Sequence, residues 1–140
     1  MKEKRSLHLK VQELVDCYAT SDPLKEMSVI DKEEDREEAA LKWIALAVLH
    51  GINANVDEIR ISRSVDGDVK VSAKYRKTKL PSPGADIGNR IIETVREITH
   101  IEGDKGKIPL ALGIRDGSLE LGVKVKRKDD GETIKFKFPE

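Results

Sequence analysis

Residues 117–138 read Gly-Ser-Leu-Glu-Leu-Gly-Val-Lys-Val-Lys-Arg-Lys-Asp-Asp-Gly-Glu-Thr-Ile-Lys-Phe-Lys-Phe, with apolar and polar side chains alternating on both sides of the central Asp-Asp-Gly. A period of two marks a strand that lays one face on a core. Leu119, Leu121, Val123 and Val125 are odd-numbered, whereas Ile134, Phe136 and Phe138 are even. A two-residue turn pairs residues of opposite parity. A tight turn at Asp130-Gly131 therefore puts both apolar sets on one face. Upstream, Leu110, Leu112 and Ile114 are even, and Asp116-Gly117 turns the chain into the Leu119 strand in the same way. The segment predicts a three-stranded meander with Lys124 opposite Lys137, and Lys126 between Lys135 and Lys107.

An earlier hairpin obeys a different parity. Ile59, Ile61 and Val65 are odd, and so are Val69, Val71, Ala73 and Tyr75. Two odd sets need a connection with an odd count, and a three-residue loop with Gly67 as its left-handed residue supplies it. Between the two sheet regions, Leu80-Pro81-Ser82-Pro83-Gly84 reads as a stiff loop. A helix over about 85–99 follows, with Ile87, Ile91, Val95 and Ile98 as its apolar stripe.

Two helices precede the strands. Leu7, Val11, Leu14, Val15 and Tyr18 recur at spacings of three and four, giving an amphipathic helix over about 6–20 that Pro23 ends. Residues 24–30 fit either a helical turn or a loop. Asp31 reads as the N-cap of a second helix ending near His50, with Gly51 as its stop. Its first turns are acidic. Residues 39–49 are apolar nearly all round, and a helix without a polar face is buried on several sides. The fold class expected is α+β: three helices on one face of an antiparallel sheet of about five strands, in the order α-α-β-β-α-β-β-β, forming a single domain over 1–140. Trp43 belongs in the core. Covering so apolar a helix in a small domain suggests a homodimer through the first or second helix.

Composition limits function. Charged residues make up 37% of the chain and aromatics 4%, so the core is aliphatic and the surface unusually charged. The formal net charge of zero hides an asymmetry. Residues 1–60 carry nine Lys/Arg and thirteen Asp/Glu, and residues 61–140 carry seventeen and thirteen. One cysteine, Cys17, cannot make an internal disulfide, and it reads, like His8, as a packing residue of the first helix. The basic start lacks an apolar run behind it, and the longest apolar stretch is far short of the roughly 20 residues of a membrane span. A cytoplasmic protein without a membrane partner is expected.

Parity also identifies the outward side chains. Lys107, Lys124, Lys126, Lys128, Lys135 and Lys137, with Arg115, point away from the core on the last three strands, and Lys70, Lys74 and Arg76 form a lesser row on the earlier hairpin. Glu120 is the main acid among them. Like charges facing each other across strands are destabilising. An anionic partner, either nucleic acid or an acidic protein, would relieve them. The plainer alternative is a solvated face whose lysines protect sheet edges. Phe136, Phe138 and Tyr75 are assigned inward, so this face offers no rings for stacking bases.

Catalytic patterns are sparse. His8, His50 and His100 have no metal-ligand spacing, and no phosphate-binding loop or nucleophile elbow occurs. No metal or cofactor is expected. Gly103-Asp104-Lys105-Gly106 matches the G-x-x-G with which some loops clamp a nucleic-acid backbone. Such a loop joins two helices, and here an alternating run follows, so a plain helix-to-strand link is the better reading. Charge patterning without a nucleophile–base arrangement favours a non-catalytic binding or assembly module over its rival. That rival is a small enzyme with an acid–base site near His100, Glu102, Asp104 and the Pro81–Gly84 loop.

Overall fold

The computed structural model describes residues 4–73, 78–80, 82–114 and 117–139. The helices are α1 (Lys4–Cys17), α2 (Pro23–Ser28), α3 (Arg36–Asn53) and α4 (Ala85–Thr99). The strands are β1 (Glu58–Ser64), β2 (Val69–Ala73), β3 (Thr78–Lys79), β4 (Lys105–Ile114), β5 (Gly117–Lys128) and β6 (Gly131–Lys137). All strand pairs are antiparallel, in the order β3-β2-β1-β6-β5-β4. The α+β class and the order of the main elements are as the sequence predicts. The additions are α2, a 3-10 turn at Ile30–Lys32 and the two-residue β3.

Helix ends follow from side-chain chemistry. Asp35, not Asp31, caps α3, its carboxylate accepting the Glu37 and Glu38 amides at 3.1 Å each. Asp31 sits in the 3-10 turn. The helix also runs past Gly51 to Asn53. Gly51 is not a stop: a Cβ there would overlap the Phe138 ring, so this glycine lets the end of the sheet reach the helix backbone. From Ala39 to Leu49 every residue except Lys42 is buried. The contacts come from α1, α2, α4 and β1, so the surface that suggested a second copy is covered within one chain. Trp43 is fully buried and meets Phe136 with ring centroids 6.4 Å apart at 45°, a tilted geometry suited to aromatic quadrupoles.

The first hairpin turns through Val65, Asp66 and Gly67, with Gly67 at φ 94° and its N–H on the Ser64 carbonyl at 2.9 Å. Val65 does not face the core as its parity suggested. It sits at the tip of that loop and is 76% exposed. The last two turns lie one residue earlier than expected. Ile114 pairs with Gly117 and Lys128 with Gly131. Faces are preserved, and each pairing moves by two residues. Lys124 therefore stands between Lys135 and Lys107, while Lys126 faces Thr133 and Lys105.

Edge strand β4 is covered by α1. His8 Nε2 lies 2.8 Å from the Ala111 carbonyl, and Gln12 bonds both backbone groups of Gly113. One helical turn advances about 6 Å over four residues and a strand about 6.7 Å over two, so residues 8 and 12 reach 111 and 113 in step. His8 is thus an edge ligand rather than a packing residue, and Cys17 is exposed. Past the apolar core, on the helix-facing side, Glu132 is 3% exposed and meets three guanidinium groups: Arg63 at 3.0 Å, Arg96 at 2.5 Å and Arg127 at 3.6 Å. Among the described residues no helix is long and apolar enough to cross a membrane.

Candidate anion-binding face

Because the helices pack on one face, the even-numbered residues of β1, β2 and β5 and the odd-numbered residues of β4 and β6 form the other. The observed strand order brings together cations that are distant in sequence. Arg60, Lys135, Lys124 and Lys107 lie side by side on β1, β6, β5 and β4. Neighbouring strands are about 4.8 Å apart, so this row spans about 14 Å. The next row is Lys70, Ser62, Thr133, Lys126 and Lys105. Lys128 follows Lys126 on β5, two residues on.

The parts of these rows on β2, β1, β6 and β5 line a groove of about 470 Å³. Its cations are Arg60, Arg63, Lys70, Lys124, Lys126, Lys128 and Lys135, and Ser62, Ser64 and Thr133 contribute hydroxyls. Asp68 and Asp130 border its turn end, together with Arg63 and the arginine-bound Glu132. Among the described residues no aromatic side chain lines it.

The crowding shows in proton affinity. The Lys126 ammonium is held below its ordinary value first by the adjacent Lys128 ammonium, then by slight desolvation and by Lys105 and Lys135. Lys135 is lowered by partial burial first and then by Arg60, with Lys124 and Lys137 adding to the effect and Glu58 opposing it. The charged forms of Lys126 and Lys135 are thus disfavoured by neighbouring cations and by desolvation.

Of the sequence-assigned cations, Lys124, Lys126, Lys128, Lys135 and Lys70 line the groove. Lys107 borders it through Lys124 at the sheet edge. Lys137 stands apart: its cross-strand neighbours are Gly122 and Glu58, not Lys124. Lys74, Tyr75, Arg76, Pro81, Arg115 and Asp116 lie outside the described residues. Arg60, Lys105 and the hydroxyls of Ser62 and Thr133 were missed. Parity alone turns Arg60 outward between Ile59 and Ile61, but the pairing of β1 with β6 is what sets it beside Lys135.

The rival site lies elsewhere. His100 closes α4 in the left-handed region at φ 61°, exposed as Glu102 and Asp104 are, and none of the three lines the groove. The G-x-x-G segment links α4 to β4, with Arg96 Nη1 donating to the Gly103 carbonyl at 2.8 Å and Ile101 packed where a Gly106 Cβ would stand. At the start of α4 the Gly84 amide is already bonded to Ser82 Oγ at 3.2 Å. No protein-family model matches the chain, and no curated protein matches it in sequence.

Proposed function

We propose that the protein is a non-catalytic binding module whose outer sheet face holds an anionic partner. The observation that carries this reading is the uninterrupted row Arg60–Lys135–Lys124–Lys107 across four strands. Cross-strand neighbours of like charge cost stability, and Glu in place of one lysine would have removed the cost. The groove gives an anion several cations at once, flanked by hydroxyl donors. Binding at so open a face is electrostatic and salt-sensitive.

The test is titration of fluorescent polyanions (a DNA oligonucleotide and poly-glutamate) at low salt against the parent, Lys126→Glu and the control Arg90→Glu on α4. Loss of binding in Lys126→Glu with retention in Arg90→Glu supports the reading. Equal binding by all three leaves the face a solvated surface and sinks it.

A further inference from the structure

Resting on that reading, we infer that the anion seated in the groove is the sugar–phosphate ridge of duplex nucleic acid, bound without readout of bases. Three observations select this chemistry. Five of the seven groove cations are lysines, and the two arginines are already engaged, Arg60 by Glu58 at 3.3 Å and Arg63 by Glu132 at 3.0 Å. Arginine forks grip planar carboxylates and phosphates alike, and lysine serves phosphate as a point charge. An acidic peptide also needs apolar anchors for affinity, and the lining consists of charged residues, hydroxyl residues and a glycine.

The second observation is the missing ring. Single strands bind by stacking bases on aromatic side chains, and among the described residues none lines the groove. A duplex keeps its bases stacked inside and presents phosphates outward, so it asks for no such platform. Third, the hydroxyls of Ser62, Ser64 and Thr133 lie among the cations. Serine and threonine hydroxyls are common donors to phosphate oxygens, and such contacts fix register without carrying sequence information.

Lys124, Lys126, Lys128 and Lys135 occupy adjoining strands and can neutralise about four phosphates. The logarithm of the binding constant then falls against the logarithm of salt with a slope of about −0.9 per phosphate, or about −4 in all. A fourfold rise in salt weakens binding by roughly a hundredfold.

The experiment compares a random-sequence DNA duplex, a single strand of equal charge, inorganic polyphosphate and poly-glutamate, each with the parent, Lys124→Met and Lys135→Met. Circular dichroism verifies that both variants fold. The expected result is tightest binding to the duplex, the same affinity for AT-rich and GC-rich duplexes, and a slope about 0.9 smaller in each variant. Preference for polyphosphate, poly-glutamate or the single strand, or a tenfold preference between duplex sequences, overturns the duplex assignment while leaving an anion-binding face in place. Failure of all four probes to bind, or binding that neither variant alters, overturns the anion-binding reading as well.

Discussion

Gln12 pairs with Gly113 as a strand residue would, its side-chain nitrogen donating to the Gly113 carbonyl at 2.5 Å and its oxygen accepting the Gly113 N–H at 2.6 Å. One amide side chain thus stands in for two ladder bonds on the open edge of β4. Gln12→Ala should cost about 1–2 kcal/mol, since each bond nets about 0.5–1.5 kcal/mol. Hydrogen exchange checks it: the Gly113 amide should exchange faster, with Leu121 in β5 unchanged.

Trp43 fills the contact between α3 and the sheet, and its Nε1 has no hydrogen-bond partner among the described residues. Trp43→Ala should cost about 3–5 kcal/mol in urea denaturation, the range for large core deletions. Trp43→Phe should cost clearly less, because it keeps most of the ring and removes a buried N–H without an acceptor.

Glu132 balances Arg63, Arg96 and Arg127 in a place where water reaches little of the carboxylate. Glu132→Gln keeps the shape and removes the charge, leaving the half-buried Arg96 beside two like charges. A loss of about 3–5 kcal/mol is expected, as when one partner of a buried pair is removed. A loss below about 1 kcal/mol, typical of surface pairs, would show that the cluster is effectively solvated.

Burial in the last turns of α3 lowers the proton affinity of His50, with Asp22 opposing. Above about pH 6.5, the ordinary imidazole value, both folded and unfolded chains hold it neutral. As pH falls below that value the unfolded chain takes up the proton first, and stability is lost through the depressed folded value. His50→Gln should flatten the stability profile between about pH 7 and pH 5. An unchanged slope would assign the acid loss to other groups.

Lys126 is depressed by its lysine neighbours, so its charge opposes folding. That penalty is fully present below its folded value and fades as pH rises towards the ordinary 10.5. Lys126→Met should raise the melting temperature at neutral pH and low salt. The gain should shrink at high salt, where exposed charges are screened, and near pH 10.5.

Much of this architecture was legible because one face of each strand is buried. The parity of Leu112, Leu121, Val123, Ile134 and Phe136 determines which way every lysine between them points. Register was less legible. Asp130-Gly131 has the composition of a tight turn, but Gly131 is a glycine for another reason. It lies at φ 149°, and a Cβ there would strike the Arg63 carbonyl of β1. A contact made by a distant strand was thus mistaken for turn chemistry, and the lysine pairs shifted by two residues. Gly51 misled in the same way, because Phe138, rather than a helix end, requires it. Nothing local to Arg60 announces Lys135 as its neighbour, so the fullest row of the groove could not be read from sequence.

The order β3-β2-β1-β6-β5-β4 has a consequence for how the chain comes together during synthesis. The β1–β2 hairpin and the β4–β5 hairpin share no direct ladder; β6 alone joins them, with Ile59 opposite Phe136 on one side and Val123 opposite Phe136 on the other. Until residues 131–137 have left the ribosome, the emerging polypeptide holds two separate ribbons, each with an open edge where the keystone strand belongs. Completing the sheet is therefore a late, long-range event. A nascent chain stalled after Asp130 should remain sensitive to protease and dependent on chaperones, however well its helices have formed.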